Sequence, residues 1–526
     1  MRWTLATALL FALALMPCLA SAQQPAANES GVGLNLSGYW RARWTNLFNP
    51  SWYFEIEDED GEKELADSDW ISYFDQRMLL DTKLTVNDRI DLNLQLDILK
   101  NVLWGNNLVV KEPAVYKERD PDEEDILKDA EFGHYEIEKG NVLSQSTSYT
   151  TADGEEIPSI QVRRLFADIL TPAGRLRIGR MGSRFGMGIF SNDGDGIDSD
   201  FGDTYDQIMF LTKLGPVVPG LGYARVVEGD IWNGDRDVHQ YTALALYLSE
   251  LTKLGAVMIY RTQYCTNAHI FIYDLWAKQK VWKITIEGEA VILQGGATMI
   301  PTKTVQEIKD NLGESVIGEG GGKVEIDAYI AALRLTFDED KWSAWLEGGF
   351  SSPSDPNPDR EFDPEAAANV AEASEILDTD PDDPSHQIEF ISALLNNQAA
   401  FGTKVYTFPF DSDYDVDLLL WEEVMENHVK NGIYAKLGAK FAVTDWFVPE
   451  VWLLKSWINE SGKTIEGKNA SHDLGWELDL FLPITIADRF TLHIDYGYLM
   501  TGQYFDDMYD GVKDLHLLRT RFVVDF

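Results

Sequence analysis

Arginines recur at every second position in this chain, as Arg41 and Arg43, Arg175 and Arg177, and Arg519 and Arg521. That spacing puts each pair on one face of an extended strand. The residues between and around them make the opposite face apolar, as with Leu518, Thr520, Phe522 and Val524. Such a face can steer or bind an anion. Arg77, Arg164, Arg334, Lys436 and Lys440 stand in similar alternations. So do carboxylates, among them Asp81, Asp91, Asp97, Asp168, Glu287, Glu289, Glu347, Glu477, Asp479 and Asp495. Catalysis finds little support. His493 and His516 sit at usable strand or rim positions, but neither has a serine at strand spacing, so no nucleophile–base pair is expected. Carboxylates are too numerous for any two to mark a glycosidase. The run from Asn192 to Asp200 looks like a calcium loop, with Asp193, Asp195 and Asp198 as candidate ligands. It departs from the EF-hand pattern because Ile197 takes a ligand position. The expectation is therefore a non-enzyme with no resident cofactor, at most binding divalent cations loosely on acidic loops.

The elements that must carry these residues are strands. Ile90, Leu92, Leu94, Leu96 and Ile98 alternate with Asp91, Asn93, Gln95 and Asp97, and the same period of two runs through 474–482 and 490–498. Segments of about ten alternating residues suit tilted strands crossing a bilayer. Tyr39, Trp40, Trp44, Trp70, Trp282, Trp342, Trp446 and Phe447 gather near strand ends, as aromatic girdles do. Tight turns at 86–89, 171–174, 338–341, 444–446 and 486–489 alternate with long connections at 48–69, 105–158, 182–204, 296–323 and 352–429. The pattern predicts an all-β, transmembrane, antiparallel up-and-down barrel with short periplasmic turns and long acidic extracellular loops. Strands fall near 33–47, 70–85, 89–104, 159–170, 174–181, 205–214, 221–229, 238–249, 254–264, 269–279, 281–295, 324–337, 341–351, 430–443, 447–458, 471–485, 489–500 and 514–526. That is 18 strands, with 16 as the alternative if 221–279 is read differently. Short helices are expected over 364–377 and 384–397.

Composition fits an exported barrel. The 526 residues include 87 acids against 44 bases, for a net charge of −43, which excludes a nucleic-acid partner. With 16 Trp, 21 Tyr and 25 Phe the chain is too aromatic to be disordered throughout. Residues 1–22 read as a cleaved secretory signal, with Arg2 in the positive segment, an apolar core and Ala20-Ser21-Ala22 before the cut. Residues 23–526 then form a single barrel domain, and Cys265 is left without an internal disulfide partner. Loops 48–69, 105–158, 182–204 and 352–429 together carry −38 of the net charge. The expected picture is a nearly neutral barrel with an acidic outer fringe that repels anions at low salt and is screened beyond about 8 Å at physiological salt.

Inside the barrel, charges must face the lumen, because an arginine facing lipid at mid-depth costs about 2–4 kcal/mol. Closure of the last strand on the first then assembles Arg41, Arg43, Arg77, Arg519 and Arg521 into one basic wall, which needs an anionic partner.

The stretches Arg163-Arg164-Leu165-Phe166-Ala167-Asp168-Ile169 and Gly174-Arg175-Leu176-Arg177-Ile178-Gly179-Arg180 resemble the alginate-export family of outer-membrane barrels. Glu347–Ser352, Leu474–Asp479 and Tyr496–Gly502 are similar to later parts of that family, and the terminal strand closing on Phe526 resembles an outer-membrane sorting signal. The resemblance implies an 18-stranded monomer with an arginine-lined, anion-selective pore, in which Arg164, Arg177 and Arg180 are pore residues. The functional expectation is an outer-membrane porin for passive movement of small or polymeric anionic solutes, such as polysaccharides or organic acids. Its partners would be outer-membrane lipid, lipopolysaccharide, the transported solute and the barrel-assembly machinery. The alternatives are a loop-plugged receptor or structural barrel, or a soluble secreted β protein that binds carbohydrate.

Overall fold

The computed structural model describes residues 32–50, 55–57, 63–65, 70–103, 160–227, 237–298, 323–353, 404–425, 428–462, 464, 468–509 and 512–526. The signal segment and the helices expected over 364–377 and 384–397 lie outside them. Eighteen strands form one closed antiparallel barrel. They are β1 (Gly33–Phe48), β2 (Trp70–Asn87), β3 (Ile90–Leu103), β4 (Ile160–Thr171), β5 (Gly174–Gly182), β6 (Thr204–Leu211), β7 (Val217–Val227), β8 (Val238–Leu248) and β9 (Thr252–Gln263). They continue with β10 (Ala268–Val281), β11 (Ile284–Thr298), β12 (Lys323–Asp338), β13 (Trp342–Ser351), β14 (Gly432–Phe441), β15 (Glu450–Ile458), β16 (Asp473–Ala487), β17 (Phe490–Thr501) and β18 (Leu515–Asp525). Each strand pairs with its sequence neighbours, and β18 returns to β1. The seam holds to the last residue, where the Gly38 and Phe526 backbones exchange hydrogen bonds of 3.1 and 3.0 Å. Closure leaves no unpaired edge, the condition for strands in an apolar medium. The strands of 221–279 are all present, so 18 is the count rather than 16.

The two faces of each strand have different surroundings. Leu165, Ile208, Leu333, Leu437 and Leu453 point outward and are exposed. Aromatic rings band this exterior. Tyr223, Tyr241, Tyr260, Phe271 and Tyr273 run across β7 to β10 with centroids 4.8–6.4 Å apart. Near the short turns, Trp282 meets Phe337 edge-on at 6.1 Å and Phe337 meets Trp342 tilted at 5.3 Å. A belt of rings at each end of an apolar band matches a membrane exterior.

The interior differs from the polar lumen expected of a porin strand. Around β9 to β18 the outer half of the lumen wall is apolar. Ile259, Ile272, Val291, Leu293, Ala328, Ile330, Leu454, Leu474, Leu499 and Leu517 face in and are buried. They are covered by two segments that turn back into the barrel, 183–203 after β5 and, before β14, 406–425 with 428–431. Ile189, Phe410, Leu419, Leu420 and Trp421 from these segments are each no more than 2 % exposed. Each large side chain so buried contributes about 1.5–3 kcal/mol. The expectation that 182–204 and 352–429 are outer loops is thus corrected for these parts. They leave the barrel at its extracellular end and then fold inward, because their apolar side chains find an apolar wall there.

Strict alternation makes a test of orientation. Leu333 and Arg334 are consecutive in the middle of β12, one on the exposed apolar face and the other paired with Glu347 inside. Leu333→Arg should cost about 2–4 kcal/mol in urea unfolding from lipid, whereas Arg334→Leu should leave the exterior intact and lose only its internal pair.

Candidate functional site

The basic wall forms as strand order requires. Arg43 on β1 stands opposite Arg521 on β18 and Asp75 on β2, while Arg41 faces Arg77. Guanidinium groups this close repel unless each is balanced, and the chain supplies the balance itself. Arg43 Nε meets Asp75 Oδ2 at 2.8 Å. Arg77 grips Asp97 with both nitrogens at 2.7 and 2.8 Å. Arg521 reaches Asp495 at 2.6 Å, and Arg519 reaches the same carboxylate at 3.5 Å. The remaining carboxylates come from the run that resembled a calcium loop. Asp200 bridges Arg41 at 2.7 Å and Arg43 at 2.9 Å, and Asp198 pairs with Arg521. Asp75, Asp97, Asp198, Asp200 and Asp495 thus answer Arg41, Arg43, Arg77, Arg519 and Arg521 one for one. Burial alone would raise the Asp200 carboxyl, but the Arg41 and Arg43 charges outweigh it and hold it far below the usual carboxylate range.

The loop backbone is bound to the wall as firmly as its side chains. Arg41 donates to Ile197 O at 2.5 Å, Tyr39 donates to Gly196 O at 3.2 Å, and Arg77 donates to Ser199 O. Arg163 donates to the carbonyls of Gly194 and Asp193 at 2.9 and 2.6 Å. Its guanidinium lies in space that side chains at Gly194 or Gly202 would occupy, and both glycines have left-handed φ of +63° and +74°. Arg164 takes Asp195 at 2.8 Å. The metal-ligand expectation for Asp193, Asp195 and Asp198 meets this arrangement directly, since Arg184, Arg164 and Arg521 respectively pair with them. Among the described residues no group of three or more His, Cys, Asp or Glu side chains is arranged to hold a metal ion.

The second inward segment is anchored by carboxylates on other strands. Glu477 on β16 accepts the N–H groups of Leu418, Leu419 and Leu420 at 3.0, 2.8 and 2.9 Å. Lys436 on β14 donates to Val416 O at 3.1 Å. Glu347 gathers Lys436, Arg334, Tyr434 and Tyr414. Two strands from Glu347, Glu289 on β11 accepts from Met187 and Gly188 of the first segment. The two segments are also tied to each other. Asp413 accepts the N–H groups of Asp200, Phe201 and Gly202, and Asp411 accepts that of Asn192 at 3.0 Å.

Toward the short turns the lumen stays polar and wetter. Asp168 pairs with Arg175 at 3.3 Å and Arg177 at 3.2 Å, and Lys83 with Asp91 at 2.9 Å. A cavity of about 220 Å³ under the first segment is lined by Ser37, Asp81, Lys83, Asn93, Gln95 and Arg164. Lys440 faces in near this end, opposite Glu450. Arg180 is a correction. It stands opposite lipid-facing Leu165 and pairs on the exterior with Asp206 at 2.7 Å. Arg177 and Arg180 are three residues apart on a strand with a two-residue period, so they cannot share a face. Asp479 and Asp495 are fully buried inward groups. Asp75, Asp413 and Asp415 went unread as site residues. Asp75 shares the parity of Arg77, and Asp411, Asp413, Asp415 and Asp417 alternate, so a signal was present in both places. Of the histidines, His516 bonds Tyr496 on the exterior at 2.7 Å, while His428 meets Ser412 at 3.1 Å through Nδ1.

No protein-family model and no curated protein sequence matches the chain. Among solved structures it is similar to Pseudomonas aeruginosa OccK8 (OprE), at 10% identity and TM-score 0.45 over 94% of this chain and 98% of that one. It is similar to OpdK with vanillate, also of Pseudomonas aeruginosa, at 10% identity and TM-score 0.47 over 94% and 98%. A loop L8 deletion mutant of OmpT, an outer membrane protein of Vibrio cholerae, aligns at 8% identity and TM-score 0.37 over 94% and 100%. These superpositions are loose, and the 18-stranded barrel rests on its own strand pairing.

Two outcomes follow from the charge balance. Asp200→Asn leaves two buried arginines short of a partner and should cost about 3–5 kcal/mol in urea unfolding. Asp206→Asn removes an exposed pair and should cost under about 1 kcal/mol. The second concerns pH. Burial, and then the charge of Asp203, pushes Asp411 up to about 8, and Asp203 is raised as well. A carboxyl raised in the fold favours the docked loops fully below its unfolded pKa of about 4 and loses that contribution as pH rises through about 8. Hydrogen exchange of 183–203, corrected for intrinsic rate, should therefore quicken between pH 6 and 9, and Asp411→Asn should abolish the change.

Proposed function

We propose that this chain is a bacterial outer-membrane channel through which small hydrophilic solutes pass passively. One observation carries the reading. A closed barrel with an apolar, aromatic-banded exterior holds two of its own segments inside, yet keeps water-accessible charged side chains along the lumen. Asp415 and Glu422 are exposed or half-exposed at the level of the inward segments, and Arg177 and Lys83 are so below them. Lipid and lipopolysaccharide are then its surroundings, the barrel-assembly machinery its route of insertion, and a single chain the working unit. The inward segments restrict the lumen to small solutes, which disfavours the polymeric cargo that the alginate-export resemblance suggests. Of the residues which that resemblance names, Arg164 and Arg177 are paired with Asp195 and Asp168, and Arg180 faces away from the lumen.

The packed apolar core inside the barrel favours a second reading, a loop-plugged receptor or structural barrel. Conductance separates the two. The purified protein should give discrete steps in planar bilayers, and the steps should enlarge when residues 410–425 are replaced by a Gly/Ser segment. Silence in both proteins, each checked for heat-modifiable gel migration, would leave the receptor.

A further inference from the structure

Resting on the channel reading, we infer that Asp415 and Glu422 make the lumen at the level of the inward segments prefer small cations over the anions that its many arginines suggest. The arginine wall has no charge to spare, since each of its five guanidinium groups has a carboxylate of its own. Asp415 and Glu422 are the reverse case. Among the described residues neither side chain takes a hydrogen bond or ion pair, and both are open to solvent although the barrel surrounds them. A permeating ion at this level therefore meets charge-balanced arginines on one side and, among the described residues, unpaired carboxylates on the other, and the low-dielectric wall of the barrel focuses that field.

The groups whose charges act on the pair come from three sources. Arg519 and Lys436 act from the barrel wall, Asp200 from the first inward segment, and Asp413 and Glu423 from the second inward segment, which carries the pair itself. Enclosure in the lumen pushes the Asp415 carboxyl up to about 6 against the pull of Arg519. Enclosure and then Asp415 push Glu422 higher. Two such neighbours ionise in succession rather than together, so the negative charge of the pair grows as pH rises.

The test is the reversal potential of the purified channel under a KCl gradient. Potassium should be preferred over chloride at pH 7.5, increasingly so from pH 5 to pH 8. In D415N/E422Q the preference should fall by about three- to six-fold for each charge removed, the effect of a unit charge at about 4–6 Å in water, and its pH dependence should vanish. D415K should move it further toward chloride. Chloride preference in the native protein, or a potential unchanged in D415N/E422Q that retains heat-modifiable migration, would overturn the inference while leaving the channel intact. Should the double variant not fold, the native channel decides: a cation preference that does not rise between pH 5 and 8 refutes it. Absence of conductance would instead remove the channel reading, and this inference with it.

Discussion

Five arginines meet where the barrel closes, and everything inside is arranged around neutralising them. Closure places β18, β1 and β2 side by side, so Arg41, Arg43, Arg77, Arg519 and Arg521 cannot avoid one another. They cannot face lipid, and they cannot stand buried and unpaired without a cost of several kcal/mol each. Three aspartates on neighbouring strands answer part of the charge. The rest is met by drawing the 192–200 run down into the lumen, where Asp198 and Asp200 complete the set. Once that segment is inside, its backbone becomes the platform on which Asp413 docks the second one.

The same requirement explains why the interior is divided. Charge is concentrated around β1 to β5 and β18, whereas the outer half of the lumen over β9 to β17 is lined by Ile, Val and Leu under the second segment. The first region is held by ion pairs, whose geometry admits few alternatives. The second is held by apolar burial, which is less directional. Glu289 on β11 and Glu477 on β16 fasten the inward segments to the wall by accepting backbone N–H groups rather than side chains. On the channel reading, the sign of the field at the level of the inward segments depends on the charges left over there, and the five wall arginines are not among them.

The acidity of the chain takes on a different meaning in this light. Read along the sequence, the loops form a negative fringe outside a neutral barrel. In the structure, 193–203 and 411–423 lie inside. Their carboxylates serve three ends there: some pair with arginine, some accept backbone hydrogen bonds, and Asp415 and Glu422 have no hydrogen bond or ion pair among the described residues. Eleven carboxylates that read as surface charge are thus internal.

How much of this was legible in the sequence follows from what a strand encodes. A period of two, aromatic ends and short turns specify an 18-stranded barrel with nearly every boundary in place, because lipid outside and water inside impose opposite demands on successive residues. The same rule identified the inward arginines and, applied to Arg180, would have set it outside. Sequence alone could not say where a loop goes once it leaves a strand. The Asn192–Asp200 run has the composition of a cation loop, and its carboxylates face guanidinium groups only because strands more than a hundred residues away in sequence close beside them. Local pattern settles the face a side chain takes, whereas its partner is settled by closure, which is a property of the whole chain.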